Sequence, residues 1–427
     1  MTNKAYLQCS DLRGFARLAT QATKGLADLV EAMHCTITGH VFWSGAQARG
    51  RTGGLTGLVY NSVRGVTHLV GAGLDAILAQ LLSTLPARAS SPEREAVLAA
   101  LNGVLGDYLV ATDNSLAIPM SLRRNGQALV LDTQALAVAI PEGGNRLAVL
   151  IHGLCLNDLQ WNRGGHDHGS VLARELGYTP LYLHYNTGLH TSINGRALAG
   201  LLERLLEQWP YRVEELVIIA HSMGGLVTRS ACHYGVLAGH AWPRRLQKVA
   251  FVGTPHHGAP LERGGNLVET ILAAVPHAAP FARLGKIRSA GVTDLRYGNV
   301  LDEDWEGRDR FARTADPRRR VPLPGGVHSY AMAATTGRKV GDLSDRLLGD
   351  GLVPLRSALG FHGDLSRCLA FPTRRQWIGY GMNHLDLLGR TEVSDQLVRW
   401  FASTPSARRP TNSSARQWTR SKGPSGG

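Results

Sequence analysis

The first part of the chain has the apolar spacing of helices. Up to about residue 124, hydrophobic residues recur three and four positions apart, and a break rich in proline at 86–92 separates two such stretches. We therefore predict a mainly helical N-terminal region over residues 1–124. The residues that carry this spacing are Leu74, Ile77, Leu78, Leu81 and Leu82, followed by Val97, Leu98, Leu101, Leu105 and Leu109.

The period changes after residue 124, and residues 125–402 are predicted to form an α/β domain. Short apolar runs at 147–151, 180–185, 215–220 and 248–253 are typical of strands that are buried on both faces. Helical stretches lie between them, which indicates a mostly parallel sheet with helices on both faces. Residues 128–141 predict a hairpin that opens the sheet, and strand-like segments resume at 327–335 and 375–380.

Two segments depart from this alternation. The strand signal lapses over residues 260–324, which carry the basic run Asp316-Pro-Arg-Arg-Arg, and we predict a lid or cap insertion there. Residues 403–427 are rich in Ser, Pro, Arg and Gly, and we predict a disordered basic tail.

An apolar stretch at residues 65–85 has nearly the length of a membrane span. His68, Asp75 and Gln80 interrupt it, and a charge near the centre of a span costs about 2.5–3.5 kcal/mol. We therefore predict a helix that does not cross a membrane. Burial against the rest of the protein is favoured over a position on a membrane surface.

The composition, with 44% hydrophobic and 19% charged residues, is that of a globular protein. The net charge of +13 favours solubility and also peripheral attraction to an anionic membrane or lipid surface. The arginines are scattered rather than interleaved with aromatic residues, so no nucleic-acid partner is predicted. The five cysteines are widely spaced and form no CxxC pair, and no secretory signal is recognised at the N-terminus. These features predict a cytoplasmic location, with peripheral association with a membrane as the alternative.

The strongest chemical signal is the sequence ELVIIAHSMGGLVTRSA. A buried strand ends at Ala220, Ser222 follows in HSMGG, and a helix begins at once. Ala220 and Gly224 stand at the two glycine positions of G-x-S-x-G, a turn that holds a nucleophilic serine above the edge of a sheet. A helix N-cap is the alternative function of this serine. The strand that precedes it favours the nucleophile.

A serine nucleophile needs a base and an acid that orients the base, and in such folds the acid comes first in the sequence. Asp350 lies in the glycine-rich turn GDGLVPLRSA, and His384 lies in GMNHLDLL after the last strand-like segment. We predict these two as the partners of Ser222. The alternatives, whose settings are less specific, are Asp342, Asp345 and Asp364 for the acid, and His328 and His362 for the base.

Backbone amides are predicted to bind the oxyanion. In LAVLIHGLCLND a strand ends at His152-Gly153, so the Leu154 N–H is presented to a substrate, and the Met223 N–H follows the nucleophile directly. Loss of one such donor typically costs about 2.7–4 kcal/mol of transition-state stabilisation.

Five segments, HGLCLND, AHSMGGL, VGTPHHGAP, GDGLVPL and MNHLDLL, resemble in order the motifs of bacterial true (triacylglycerol) lipases and of GPI inositol-deacylase-like, or PGAP-type, hydrolases. The resemblance covers about residues 147–400. It implies an α/β-hydrolase fold, ester hydrolysis by Ser222, Asp350 and His384, and Leu154 and Met223 as oxyanion donors.

The same resemblance implies the position of a structural calcium ion, because true lipases often bind one through an aspartate two residues after the catalytic histidine. Asp386 stands there, with Asp345 or Asp342 as its partner. The loop GDLSDRLLGD is shorter than such sites use, which argues against calcium. His166-Asp167-His168 and His256-His257 lack a third spaced ligand, so we interpret them as polar loop residues at the rim of the site. No cofactor is predicted.

The sequence thus predicts a serine carboxylic-ester hydrolase, a lipase or esterase, that acts on acyl lipids through an acyl-enzyme. An acyltransferase or a thioesterase would use the same triad, and the fold does not distinguish them. A non-catalytic lipid-binding protein on this fold is a third hypothesis. The complete triad argues against it.

Overall fold

The first three described elements are helices, as the apolar spacing predicts. The computed structural model describes residues 8–39, 54–84, 90–259, 270–271, 288–310, 316, 318–338 and 349–402. The helices are α1 (Cys9–Gly39), α2 (Gly54–Thr84) and α3 (Pro92–Ala111). Ser91 caps α3 by accepting the Arg94 N–H, and Pro92 occupies its first turn, where no N–H is needed.

The described strands form one eight-stranded sheet in the order β2-β1-β4-β3-β5-β6-β7-β8. Strands β3 to β8 run parallel to their neighbours, and only β1 pairs antiparallel, with β2 on one side and β4 on the other. The strands are β1 (Ser121–Arg124), β2 (Gln127–Ala128), β3 (Arg146–Ile151), β4 (Thr179–His184), β5 (Glu215–His221), β6 (Leu246–Val252), β7 (His328–Thr335) and β8 (Gln376–Tyr380).

Helices connect the parallel strands and cover the sheet. The direction of travel along the sheet reverses at β4, so right-handed crossovers put α5 and α6 on opposite faces. In agreement, α5 packs against α10, and α6 packs against α7. These helices are α4 (Thr133–Ala139), α5 (His168–Leu176), α6 (Thr191–Gln208), α7 (Met223–Leu237), α8 (Ala290–Asp294), α9 (Leu355–Ala358) and α10 (Thr391–Ala402). Short 3-10 turns lie at Asp158–Trp161, Trp242–Arg244, Asp302–Asp304, Leu365–Arg367, Thr373–Arg375 and Asp386–Leu388.

The four apolar runs and the two later strand-like segments are confirmed as β3 to β8, but the hairpin predicted at residues 128–141 is wrong. The hairpin lies earlier, between β1 and β2, and residues 133–139 form α4. Asp132 explains the difference because its carboxylate accepts the N–H groups of Gln134 and Ala135 and so starts a helix. Within α4 only Leu136 is buried.

Helix α3 joins the N-terminal region to the α/β domain. Ala100 and Val104 belong to the main hydrophobic core, which lies around the sheet. Leu98, Leu101 and Leu109 on the same helix form a second, smaller core against which α1 packs. α3 is therefore shared by both parts of the chain.

The helix over residues 65–85 is not buried against the protein, so that prediction is wrong for its described side chains. Leu69 is 73% exposed and Val70 is 65% exposed. The polar residues Arg64 and Asp75 face α1 instead, since both form ion pairs with it. No described helix is long and apolar enough to cross a membrane.

The predicted insertion at 260–324 contains no strand among its described residues, and its function as a lid stays a prediction. Its helix α8 lies close to the end of the sheet where β5 meets α7. A Cβ added at Gly291 would lie 3.0 Å from the Met223 Cε. The predicted tail at 403–427 lies outside the described residues.

Candidate active site

Ser222 stands in a sharp turn between β5 and α7. Its φ of 55° and ψ of −125° are strained for a residue with a Cβ, and the turn is held by a 2.8 Å hydrogen bond from the Ser222 N–H to the Val252 carbonyl. All residues of β5 are buried, so the strand is a rigid base for the serine. The turn has the backbone geometry that aims a nucleophilic serine away from the sheet.

Small residues around this turn let three segments approach one another. A Cβ added at Gly224 would lie 2.6 Å from the Ile151 carbonyl oxygen, and one at Gly153 would lie 2.8 Å from the Ser222 Cβ. The α7 N-terminus therefore packs directly on the end of β3, and the His152-Gly153 segment passes beside the serine. This close packing explains the glycine that follows the serine in HSMGG.

Asp350 and His384 form a buried pair. The His384 Nδ1 lies 2.7 Å from the Asp350 Oδ2, and the His384 N–H also donates to the Asp350 carbonyl at 3.0 Å. The other carboxylate oxygen, Oδ1, accepts the N–H groups of Leu352 and Val353 at 3.0 and 2.8 Å. One oxygen thus fixes the carboxylate in the GDGLVP turn, and the second is left to orient the imidazole.

The end of β6 brings the serine and the imidazole together. Val252, the last residue of β6, accepts the Ser222 N–H, and a Cβ added at the next residue, Gly253, would lie 3.1 Å from the His384 Cε1. Gly253 has a φ of 62°, which suits glycine. Because Nδ1 is bonded to Asp350, Nε2 is the ring nitrogen that can accept a proton from the serine.

The predicted oxyanion donors are unoccupied amides next to the serine. In the described part of the chain, neither the Leu154 N–H nor the Met223 N–H donates a hydrogen bond to a protein group. Both residues are buried. Met223 is the first residue of α7, so its amide also carries the positive end of the helix dipole.

Cys155 fixes the backbone directly after Leu154. Its φ is 60°, an uncommon conformation for a residue with a side chain, and its N–H donates to the Thr187 Oγ1 at 3.1 Å. Burial raises the pKa of the Cys155 thiol to about 12, so this cysteine is a neutral thiol and not a rival nucleophile.

Helix α3 forms the surface on which this loop lies. A Cβ added at Gly103 would overlap the Cys155 sulfur and would lie 3.1 Å from its Cα. The Gly103 carbonyl accepts a 2.7 Å hydrogen bond from the Ser289 Oγ, and the Gly106 carbonyl accepts one from Asn186. Sequence reasoning missed this contribution of the N-terminal region, because no local motif indicates it.

Two buried histidines support the site, and sequence reasoning missed both as separate elements. The His221 ring lies 4.7 Å from the His384 ring, and its Nε2 lies 3.2 Å from the His384 carbonyl oxygen, which only a protonated Nε2 can satisfy. Burial lowers the pKa of His221 well below its usual value, and burial lowers that of His152 to about 3. Both are therefore neutral at physiological pH. Their positions in HSMGG and HGL were the available signals.

The alternative acid and base residues lie elsewhere. His328 begins β7 and pairs with Lys248 at the start of β6, which is the opposite edge of the sheet from Ser222. Asp364 is exposed and caps a 3-10 turn by accepting the Ser366 N–H. His362 lies on the same loop, 4.9 Å from the His257 ring. Asp342 and Asp345 lie outside the described residues.

The predicted metal ligands have other partners. The Asp386 Oδ2 accepts the Asn383 N–H at 2.9 Å and so shapes the loop before His384. His168 bonds to the Ser394 Oγ and to the Leu387 carbonyl. His168 and His256 are fully buried, so the prediction that these histidine pairs line the rim is wrong for these two members. His168 is the first residue of α5, and the His256 ring packs 5.0 Å from the Phe251 ring of β6.

Among the described residues, one group has the composition of a metal site: Glu95, Asp158 and His184. The Arg123 Nη1 lies 2.8 Å from the Glu95 Oε2 and 3.3 Å from the Asp158 Oδ1. Burial alone would raise the pKa of Asp158, but His184 and Arg123 lower it overall. Since the guanidinium already supplies the positive charge, this group is an ion-pair network that joins α3 and β1 to the loop after β3.

Part of the chain matches a known protein family. The sequence profile of the family described as PGAP1-like alpha/beta domain matches residues 169–318, which include Ser222 and end before Asp350 and His384. No curated protein matches the sequence. The chain resembles the solved structure of lipase BlEst2 of Bacillus licheniformis in mature form, with 16% identity and a TM-score of 0.39 over 61% of this chain and 92% of that chain. It also resembles lipase 1 from Pelosinus fermentans, with 12% identity and a TM-score of 0.37 over 61% of this chain and 100% of that chain. For phospholipase PlaB from Legionella pneumophila the identity is 14% and the TM-score 0.33, over 50% of this chain and 45% of that chain.

The family match and the sheet confirm the fold class and the predicted resemblance. The matched region contains β5, the strained serine turn and α7, and it includes two of the five segments that carry the resemblance, AHSMGGL and VGTPHHGAP. The mostly parallel eight-stranded sheet, with the strained serine turn between β5 and α7, has the α/β-hydrolase fold that the sequence predicts.

Proposed function

We propose that this protein is a serine carboxylic-ester hydrolase in which Ser222 is the nucleophile, His384 the general base and Asp350 the residue that orients the base. The observation that carries the proposal is the Asp350–His384 pair, whose 2.7 Å hydrogen bond lies at the same sheet edge as the strained Ser222 turn. Acyl transfer requires a nucleophile, a general base and a group that orients the base. Here these are a serine in a strained turn, an imidazole and a carboxylate that two backbone amides fix.

In the proposed mechanism, the Ser222 Oγ attacks the ester carbonyl carbon while the His384 Nε2 accepts its proton. Asp350 stabilises the imidazolium through Nδ1, and the Leu154 and Met223 amides bind the oxyanion. The protonated imidazole then donates to the alcohol oxygen, the alcohol leaves, and an acyl-enzyme remains. Water, activated by the same imidazole, hydrolyses the acyl-enzyme. No metal or organic cofactor takes part in these steps.

The substrate class that we propose is an ester of an acyl lipid. The segment around the serine is apolar: Leu154 and Met223 are buried beside it, and α8 packs against the Met223 side chain. Peripheral association with an anionic membrane would bring such substrates to the site. A reducing, cytoplasmic compartment is part of the same proposal, and Cys155, Cys232 and Cys368 are free thiols.

The direct test is a fluorophosphonate probe followed by a panel of p-nitrophenyl esters of increasing acyl length. A serine hydrolase is labelled once, at Ser222, and releases p-nitrophenol with an initial burst as the acyl-enzyme accumulates. The same panel run with acyl thioesters and with added alcohol acceptors separates a thioesterase and an acyltransferase from a hydrolase. A full chain that is neither labelled nor active would support the non-catalytic alternative.

Residues 152–156, the loop after β3 that carries the Leu154 amide, are called the oxyanion loop. The contact between α3 and this loop gives a prediction away from the triad. Gly103→Ala would place a methyl group against Cys155 and displace the Leu154 amide, so we expect kcat for ester hydrolysis to fall about 10- to 100-fold, part of the effect of losing one oxyanion donor. The measurement is kcat and KM on a short p-nitrophenyl ester, together with Tm.

A matched control exists on α1, where an added Cβ at Gly25 meets nothing within 4 Å. Gly25→Ala is expected to keep kcat and to stabilise the helix by about 0.5–1 kcal/mol. Normal kcat in a folded Gly103→Ala variant would show that the loop does not depend on α3.

Chelation by EDTA is expected to leave the rate of ester hydrolysis and Tm unchanged. The Asp386 carboxylate already accepts the Asn383 N–H, and Arg123 supplies positive charge to the carboxylates of the Glu95 network. Neither set of carboxylates therefore needs a metal ion to neutralise its negative charge. Rates measured before and after EDTA, with calcium restored afterwards, check this. Activity that is lost with EDTA and returns with calcium would contradict it.

A further inference from the structure

Helix α2 is rotated so that its polar residues face α1. Tyr60, Arg64, Thr67, Gly71 and Asp75 are the partly covered residues of its described side chains, and they recur three or four positions apart. A Cβ added at Gly71 would lie 2.5 Å from the Thr20 Cγ2, so the two helices touch there. The contact with α1 therefore uses the polar side of α2.

Ion pairs fix this rotation. Asp75 accepts from Arg13 and Arg17 on α1, at 2.7 and 2.6 Å, and Arg64 pairs with Asp28 at 2.6 Å and with Glu31. The hydrogen bonds from Arg13 and then Arg17 hold the pKa of Asp75 well below its usual range. Turning α2 about its axis would break these pairs, so its opposite side must face outward.

The outward side of α2 is apolar and uncharged. We call it the α2 outer face and define it by Leu58, Val63, Val66, Leu69, Val70 and Leu74, all of which are exposed. Arg64 and Asp75 are the only charged residues between positions 58 and 76, and both point to α1. The polar Ser62 is exposed among them, and a largely apolar exposed surface of this kind is uncommon on proteins and marks an interaction site.

The N-terminal segment that contains α2 has an excess of positive charge in its sequence. Residues 1–84 contain seven Lys and Arg against four Asp and Glu. All four carboxylates are neutralised by arginines: Asp11 by Arg94, and Asp28, Glu31 and Asp75 by the pairs given above. Lys24 on α1 has no ion-pair partner in the described part of the chain. A positive excess attracts an anionic surface and repels a second copy of the same hairpin.

The α1–α2 hairpin is tied to the domain that carries the proposed site. Arg94 on α3 holds Asp11 at 2.6 Å, and the Asn114 side chain donates to the Gly14 carbonyl at 3.1 Å. α3 in turn contacts Cys155 in the oxyanion loop through Gly103. A surface bound by α2 would therefore stand in a defined position relative to Ser222.

We propose that the α2 outer face docks on an anionic lipid surface, with α2 lying in the plane of the headgroups and its apolar side chains inserted between them. The docking brings lipid esters to the hydrolase, and in that respect it rests on the proposed function. The binding itself depends on α2 and on charge, not on the triad.

The test is co-sedimentation of the full chain with vesicles of ether-linked lipids, which have no ester to cleave. Phosphatidylcholine vesicles are compared with vesicles that also contain phosphatidylglycerol, at low and high salt. The expected result is binding to the anionic vesicles that weakens with salt. The variant Val66→Ser/Leu69→Ser/Val70→Ser is expected to lower the partition coefficient at least about tenfold, because it removes three inserted side chains.

The matched control replaces three exposed apolar residues elsewhere, Val138→Ser/Val236→Ser/Leu237→Ser, and should bind like the natural sequence. Both variants should hydrolyse a short water-soluble ester at the unchanged rate, so failure of the proposed function appears in that assay and failure of docking appears in sedimentation. Absence of binding by the full chain, or equal binding by the α2 variant, would overturn the proposal.

Two further measurements cover the remaining outcomes. Light scattering after gel filtration gives the mass of each variant, and a dimer that the α2 substitutions dissociate without changing vesicle binding would assign the face to a second copy and overturn the proposal. If the triple variant does not fold, an environment-sensitive fluorophore on Leu69→Cys replaces it. Its emission must shift to the blue with anionic vesicles, whereas the same fluorophore on Val236→Cys must not; equal spectra would refute docking by α2.

Discussion

Replacing Ser222 with alanine is expected to abolish ester hydrolysis and fluorophosphonate labelling while the fold stays intact. The substitution removes only the attacking oxygen. The turn should keep its conformation, because it is held by the backbone hydrogen bond from the residue 222 N–H to the Val252 carbonyl. Triad members act as a unit, so kcat should fall by about 10⁵- to 10⁶-fold, with a residual rate from the oxyanion amides. The measurements are kcat on p-nitrophenyl esters, probe labelling and Tm.

Ser230 provides the control for this substitution because it is a buried serine on the same helix, α7. Within the described residues its hydroxyl has no hydrogen-bond partner, so Ser230→Ala removes little and should keep both labelling and turnover. Labelling that persists in Ser222→Ala would place the nucleophile elsewhere in the chain.

Strands β3 to β6 were predictable because burial on both faces leaves a nearly continuous apolar run. The four apolar runs lie in β3 to β6 and the two later strand-like segments lie in β7 and β8, so only residues 128–141 were predicted wrongly. The Ala, Leu and Val residues of this segment are compatible with a helix as well as with a strand. The N-cap Asp132 stabilises the helix. A short segment at the edge of the sheet has too few buried positions for its period to be diagnostic.

The residues of the candidate site were predictable from motifs, whereas their support was not. HSMGG and GDGLVPL name Ser222 and Asp350 because local backbone geometry requires their glycines. The two amides that hold the Asp350 Oδ1 also lie within its own turn. In contrast, the contact of Gly103 with Cys155 joins segments fifty residues apart in different parts of the chain, and one sequence carries no sign of it.

The orientation of α2 shows a different limit. Its apolar spacing predicts a helix correctly, but an apolar stripe is equally compatible with burial and with exposure. The outcome depends on α1, which presents Arg13, Arg17 and Glu31 at the positions that pair with α2. The four ion pairs between α1 and α2 leave Leu69 and Val70 exposed, and the proposed docking on a lipid surface would cover these side chains.

Replacing His384 with alanine is expected to reduce kcat by about 10⁵- to 10⁶-fold, close to the loss in Ser222→Ala, because a serine without its base is as inactive as no serine. KM should change little, since the oxyanion amides and the residues around Ser222 remain. Added imidazole should restore part of the rate by entering the vacated space beside Asp350, a response that a merely structural loss would not give. The measurement is kcat with and without imidazole, with Tm to verify folding.

His362→Ala and His328→Ala are the matched controls because the sequence offers each of these histidines as an alternative base. His362 lies on a loop with its Nε2 3.9 Å from the Asp316 carboxylate, and His328 lies at the far edge of the sheet, so neither loss should lower kcat by more than about tenfold. A near-normal kcat in His384→Ala would refute the assignment. A collapse of kcat in His362→Ala alone would transfer the role of base to that residue and leave the Asp350–His384 hydrogen bond, 2.7 Å long and buried, as a structural element of the loop.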